Sequence, residues 1–279
     1  MSWVPFHHQD YSFKGAVDIF DYIRHRVVNF NEALDIKIIS KKGKGKSTVA
    51  LSMAMRLDPN FDVEKNIAFT AEEWLLKSAE LKRGSVVLME EIGTQRFASS
   101  HKWQSSDNQD FSDTVQLNRT DGQIYIATSV DEQRITNRVR DTFPVLIYPE
   151  KKITVRKKVT DSDGNVQVKS FLAVQCILRF AKEDIFYQNG GRDLLIYPRY
   201  APGGVIKRVI LYHPPKDVFD RYSEMRNALK EELKNNFLER KKTQRYLEEA
   251  GKKAQESGET DVNHRLRKRI VNKSGGGGV

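Results

Sequence analysis

The residues of this 279-residue chain best suited to chemistry stand together as Ser40-Lys41-Lys42-Gly43-Lys44-Gly45-Lys46-Ser47-Thr48. Their spacing is that of a phosphate-binding loop, G-x-x-x-x-G-K-[ST], in every position but the first, where Ser40 replaces glycine. Gly43 and Gly45 let the backbone curl so that successive N–H groups face an anion, and a helix starting directly afterwards adds the positive end of its dipole. Lys46 is then the cation for the terminal phosphates, Ser47 supplies a hydroxyl for Mg2+, and Lys44 and Thr48 complete the loop. The alternative for the same stretch is a solvated Lys/Gly turn between a strand and a helix.

A second cluster, Glu90-Glu91, closes the apolar run Val86 to Met89. A carboxylate ending a strand beside such a loop is placed to hold the metal, and a second one is placed to polarise an attacking water. Glu90 takes the metal side and Glu91 the base. Glutamate is one methylene longer than the aspartate usual at the metal position, so Glu90 reaches Mg2+ with shifted geometry or through a retained water. A solvated acidic turn is the other reading of this pair.

These groups need elements to hold them. Asp35 to Ser40 alternates and is rich in isoleucine, which predicts a strand, and Lys46 to Leu57 carries a helical pattern. A helix from Asp18 to Ala33 precedes them. A short strand is expected at Ile67 to Phe69, a helix at Ala71 to Leu81 with Thr70 as its N-cap, and a doubly covered strand at Val86 to Met89. A helix around Phe111 to Arg119 and a strand at Ile124 to Thr128 follow. Strands alternating with helices imply a parallel sheet.

Beyond Pro144 the pattern changes. Val145 to Tyr148 predicts one strand, and Lys151 to Lys158 and Val166 to Leu178 predict two more joined by Asp161-Ser162-Asp163-Gly164, a hairpin signal. Cys176 lies in this apolar stretch and, as the one cysteine, reads as a buried strand residue. From Lys216 an amphipathic helix runs toward Glu249, and Arg265 to Arg269 with the glycines after them form a basic tail. The expected organisation is a helical segment over 1–33, a core over 34–150, a hairpin extension with final strands over 151–215, the helix over 216–250 and a flexible tail over 251–279.

Composition bounds the rest. With 39% hydrophobic and 10% aromatic residues the chain can bury a core, which excludes disorder throughout. Its 47 Lys+Arg against 37 Asp+Glu give a net charge of +10, which favours a polyanionic partner, nucleic acid or an anionic membrane surface. No apolar run approaches the roughly 20 residues of a membrane span, and the N-terminus lacks a secretory pattern. A soluble, cytoplasmic protein is expected.

Taken together, Lys46-Ser47, the strand ending in Glu90-Glu91 and the segment Thr114 to Arg140 resemble the FtsK–HerA group of P-loop DNA-pumping ATPases. The likeness is nearest to its compact viral and phage branch, with zonula occludens toxin-like assembly proteins and DNA-packaging ATPases, and covers residues 34–150. In that branch a helix ending in arginine is followed by a glycine, a buried strand ending in a polar sensor, and a segment leading to further arginines. Here these positions read Gln116-Leu117-Asn118-Arg119, Gly122, Ile124 to Thr128, and Ile135-Thr136-Asn137-Arg138-Val139-Arg140. The pattern departs from the group at Ser40, at Glu90 and in lacking a sensor glutamine.

The resemblance implies an α/β fold of the P-loop NTPase type, RecA/ASCE-like, with a mostly parallel sheet flanked by helices, here extended by a β-hairpin and a C-terminal helix. It implies ATP and Mg2+ as cofactors, Thr128 or Ser129 in the sensor place, and Arg119 as a finger reaching the next subunit's nucleotide, with Arg138 and Arg140 as competitors. A finger acting across subunits implies a homo-oligomeric ring, a hexamer in this group, around DNA of unspecified strandedness, recruited to a capsid, a membrane complex or chromosomal DNA by other proteins. Candidate DNA contacts are Arg96 to Trp103, the basic hairpin residues Lys151, Lys152, Arg156, Lys157 and Lys158, and the tail. Two other readings stay open: a nucleotide-binding adaptor with little or no hydrolysis, and a nucleic-acid-binding module with a vestigial P-loop.

Overall fold

A computed structural model describes residues 19–30, 35–92, 122–131, 133, 135, 142–160, 164–182, 194–196, 199–200 and 204–256. Arg119, Arg138, Arg140, the 96–103 stretch, the expected helix around 111–119 and the 265–269 tail lie outside the described residues.

The elements in chain order are α1 (Ile19–Phe30), β1 (Ile36–Ile39), α2 (Lys46–Leu57), α3 (Val63–Asn66), β2 (Ile67–Ala68), α4 (Ala71–Glu80), β3 (Val86–Met89) and β4 (Ile124–Ser129). There follow β5 (Val145–Thr160), β6 (Val166–Lys182), β7 (Leu194–Ile196), β8 (Arg199–Tyr200), β9 (Gly204–Val205), β10 (Arg208–Tyr212) and a long helix, α5 (Lys216–Glu256). Strands β8 and β9 pair by themselves; the rest form one sheet in the order β10-β6-β5-β1-β4-β3-β2, with β7 also on β6. From β5 to β2 every pairing is parallel, and β6, β7 and β10 add antiparallel. The expected α/β architecture, a mostly parallel sheet with helices and a hairpin extension, is the one that forms.

The apolar runs explain the order. All four residues of β1, all four of β3 and all six of β4 are buried, as strands covered on both faces must be. One face carries Val87, Met89, Tyr125 and Ala127 beneath Trp74 of α4, whose ring meets Tyr125 edge-on at 5.4 Å. Two polar side chains fasten the strand starts. Asp35 accepts from the Tyr125 N–H at 3.2 Å while its carbonyl accepts from Val145. Asp58, just past α2, accepts from the Val86 N–H at 3.1 Å.

Thr70 caps α4 as expected, accepting from the Glu73 N–H at 3.1 Å, while the Glu73 carboxylate accepts from the Phe69 N–H at 2.7 Å. Two expectations are corrected. The separate strands at 145–148 and 151–158 are one strand, because a β-bulge between Pro149 and Lys151 carries the chain through the proline. The C-terminal helix continues beyond residue 250 to Glu256. Cys176 is fully buried in β6, where burial pushes its thiol up to about 12. Among the described residues no helix is long and apolar enough to cross a membrane.

Candidate active site

The loop from Ser40 to Gly45 leaves β1 at its carboxyl end and opens directly into α2. Gly43 and Gly45 adopt φ of +85° and +95°, the left-handed region that glycine enters without steric cost. Ser40, the departure from the motif, is not among the positive-φ residues, so its position needs no glycine backbone. Its N–H donates to the Ser129 carbonyl at 3.3 Å, which ties the loop's start to β4. Lys44 is exposed, Ser47 is half-buried and Thr48 is buried in the first turn of α2.

Lys46 is 7% exposed, and its ammonium sits 3.1 Å from the Ser40 carbonyl and 3.7 Å from the Glu91 carboxylate. A buried ammonium needs such partners, and both are replaceable by phosphate oxygens. Glu90 is 3% exposed and accepts from the Thr128 hydroxyl at 3.1 Å. The same Thr128 oxygen accepts from the Glu91 N–H at 2.9 Å. Thr128 at the end of β4 therefore touches both residues at the end of β3, which its position between β1 and β3 makes possible. Ser129, the other sensor candidate, turns away and donates to the Asp131 carbonyl at 2.8 Å.

Glu91 has φ of +56°, the one non-glycine residue in that region among those described. For such a residue the left-handed conformation costs about 1–2 kcal/mol. A strained carboxylate facing a buried lysine is a geometry that needs an explanation.

The donor types expected at the metal are those Mg2+ takes. Ser47 and Glu90 offer hard oxygen donors, and Mg2+ takes one or two protein carboxylates together with phosphate oxygens and waters rather than a full protein cage. Above Gly43 the space within 4 Å of an added Cβ is open. Sequence reasoning missed two contributors: the Thr128 bridge to both glutamates, and the approach of Val174 and Lys152 to Gly45, with Val174 Cγ2 at 3.1 Å from an added Cβ.

No family model matches the chain, and no curated protein matches it. Solved structures show partial likenesses. A RuvB variant from Thermotoga maritima aligns at 16% identity over 46% of this chain and 41% of that one, with a TM-score of 0.33. The genome packaging NTPase B204 from Sulfolobus turreted icosahedral virus 2, in complex with ATP-gammaS, aligns at 10% identity over 61% of this chain and 98% of that one, with a TM-score of 0.32. Its AMPPCP complex aligns at 11% identity over 60% and 98%, also with a TM-score of 0.32. This chain thus spans less than half of the RuvB variant.

Proposed function

We propose that the chain is a Mg2+-dependent P-loop ATPase acting as a ring motor that translocates or packages DNA. One observation carries the reading: the Lys46 ammonium lies 3.7 Å from the carboxylate of a backbone-strained Glu91, beside a loop whose two glycines take positive φ. An arriving triphosphate offers Lys46 several charged oxygens within hydrogen-bond reach against a Glu91 carboxylate at 3.7 Å, so the lysine turns to the phosphates and releases Glu91. Freed, the Glu91 carboxylate is a base for the attacking water. Ser47 and Glu90 would hold Mg2+, which would supply positive charge at the phosphate oxygens. Thr128 orients both glutamates and is the sensor.

The DNA part rests on charge. Lys151, Lys152, Arg156, Lys157 and Lys158 line one exposed strand of the hairpin, and cations in that density suit sequence-independent phosphate contact. Arg119 is the proposed finger, with Arg138 and Arg140 as competitors. A nucleotide-binding adaptor without turnover is favoured by a different observation, that each glutamate already has a protein partner, Thr128 for Glu90 and Lys46 for Glu91.

The test is ATP hydrolysis with and without DNA for the parent, Lys46→Ala and Glu91→Gln. The motor reading expects DNA-stimulated turnover in the parent. It expects a fall of about 100-fold or more in both variants, with nucleotide binding kept in Glu91→Gln. Parental turnover no faster than that of Glu91→Gln would install the adaptor reading instead.

A further inference from the structure

The hairpin of β5 and β6 rises from the same edge of the sheet as the phosphate loop. Val145 to Ile147 pair with Ile36 to Ile38 of β1, and the residues after them run on past the end of that strand. A bulge then decides which side chain turns toward the loop. Pro149 stands opposite Cys176, but the next pair is Lys151 with Gln175, so Glu150 is the extra residue. In a regular strand Lys151 would share the face of Pro149. With the extra residue that face passes to Lys152, opposite Val174.

The bulge is fastened: the Glu150 carboxylate accepts from Arg208 at 2.8 Å and from Gln175 at 3.1 Å. The consequence is visible at Gly45. The point where a Cβ would stand on this glycine lies 3.1 Å from Val174 Cγ2 and 3.9 Å from Lys152 Cε, and the Lys152 ammonium is one bond farther along. Lys152 is exposed and makes no ion pair among the described residues. Lys44 and Lys46 flank Gly45 in sequence, and the Lys46 ammonium is held by the Ser40 carbonyl and the Glu91 carboxylate, so Lys152 brings a further lysine stem to this glycine from outside the loop. An exposed ammonium beside such a loop is stabilised by a polyanion bound there.

We propose that Lys152 is a nucleotide-binding residue: its ammonium completes the phosphate loop from the hairpin, so that a bound triphosphate ties the loop to the hairpin. This rests on the nucleotide reading of the loop and adds what that reading does not contain, a phosphate contact from outside the motif. It also gives the nucleotide a direct connection to the strand proposed to meet DNA.

The experiment titrates AMPPCP with Mg2+, and adenosine separately, into the full-length parent, Lys46→Ala, Lys152→Ala and Lys152→Arg, with thermal unfolding of each as the folding control. Binding of AMPPCP is expected to weaken about tenfold in Lys152→Ala, the loss of one charge-assisted contact. Lys152→Arg should recover most of it, and adenosine binding should not change. Trypsin cleavage within Lys151 to Lys158 should slow on AMPPCP addition in the parent and not in Lys152→Ala. If Lys152→Ala binds AMPPCP as the parent does while Lys46→Ala does not, the inference is overturned and the nucleotide reading stands. A parent that binds no AMPPCP overturns both. Should Lys152→Ala unfold early, Lys152→Met keeps the stem and answers the same question.

Discussion

Thr128 is fully buried, and its hydroxyl does two jobs at once, donating to Glu90 and accepting from the backbone of Glu91. Valine has nearly the same shape and neither capacity. In Thr128→Val the Glu90 carboxylate loses a donor and the Glu91 N–H loses its acceptor, an expected stability loss of about 1–3 kcal/mol. The loss at the site should be larger in kind. The left-handed backbone of Glu91, which costs energy wherever it occurs, is held by that same N–H contact, so the proposed base would relax out of place. Turnover should fall at least tenfold with AMPPCP affinity little changed, and Thr128→Ser should restore it. Affinity falling together with turnover would mean that Thr128 supports the loop rather than the two glutamates. The residue type at 128 was readable as a polar strand end. Its double contact was not, because Glu90 and Thr128 stand far apart in the chain and meet only through the strand order.

At the scale of elements, what the sequence disclosed and what it hid divide by range. The strand at Val86 to Met89, the helix from Lys46 to Leu57 and the Thr70 cap are short-range patterns, and each forms where the residues put it. The helix at Val63 to Asn66 is too short to show a period, although Asp62, which accepts from the Glu64 and Lys65 N–H groups, was its available signal. The continuity of β5 was hidden because Pro149 and Glu150 break the alternation. They do so where β1 no longer pairs with β5, so the missing N–H of proline is tolerated.

The bulge at Glu150 makes a prediction of its own. Hydrogen bonds from Arg208 and then Gln175 hold the Glu150 carboxyl below the usual carboxylate range. A lowered carboxylate pKa contributes stability above the unfolded-chain value of about 4.3, and that stability disappears as pH falls through the lower folded value. Urea midpoints of the parent and Glu150→Gln should therefore differ by a constant amount from neutral pH to about pH 5, then converge in acid. Because Arg208 is over half exposed, added salt should shrink the difference. A difference that persists unchanged into acid would assign the bulge's stability to Gln175 and backbone geometry instead.

At the scale of the whole molecule, the net charge of +10 has two proposed destinations, the nucleotide and DNA, and a motor must couple them. Within one chain the coupling proposed here runs from the phosphate loop through Lys152 into the hairpin. Between chains the proposed ring motor would need a cation from a neighbour at the nucleotide, for which Arg119 is the first candidate. That requirement is testable without an image of the assembly. On that proposal a subunit bearing Lys46→Ala would not grip phosphate but would still lend its arginine, whereas one bearing Arg119→Ala would grip phosphate but lend nothing. Each should be inactive alone. In a random equal mixture a site works when an Arg119→Ala subunit holds the nucleotide and a Lys46→Ala subunit stands on the finger side, which is about one interface in four of a closed ring. Mixing should thus restore about a quarter of the parental rate at most, and less if neighbouring sites must fire together. A finger acting within its own subunit gives no recovery at any ratio. If Arg119 fails and the same mixture built with Arg138→Ala or Arg140→Ala recovers, the finger moves to that residue. If all three fail, a ring motor with a finger in trans is the wrong description of this chain.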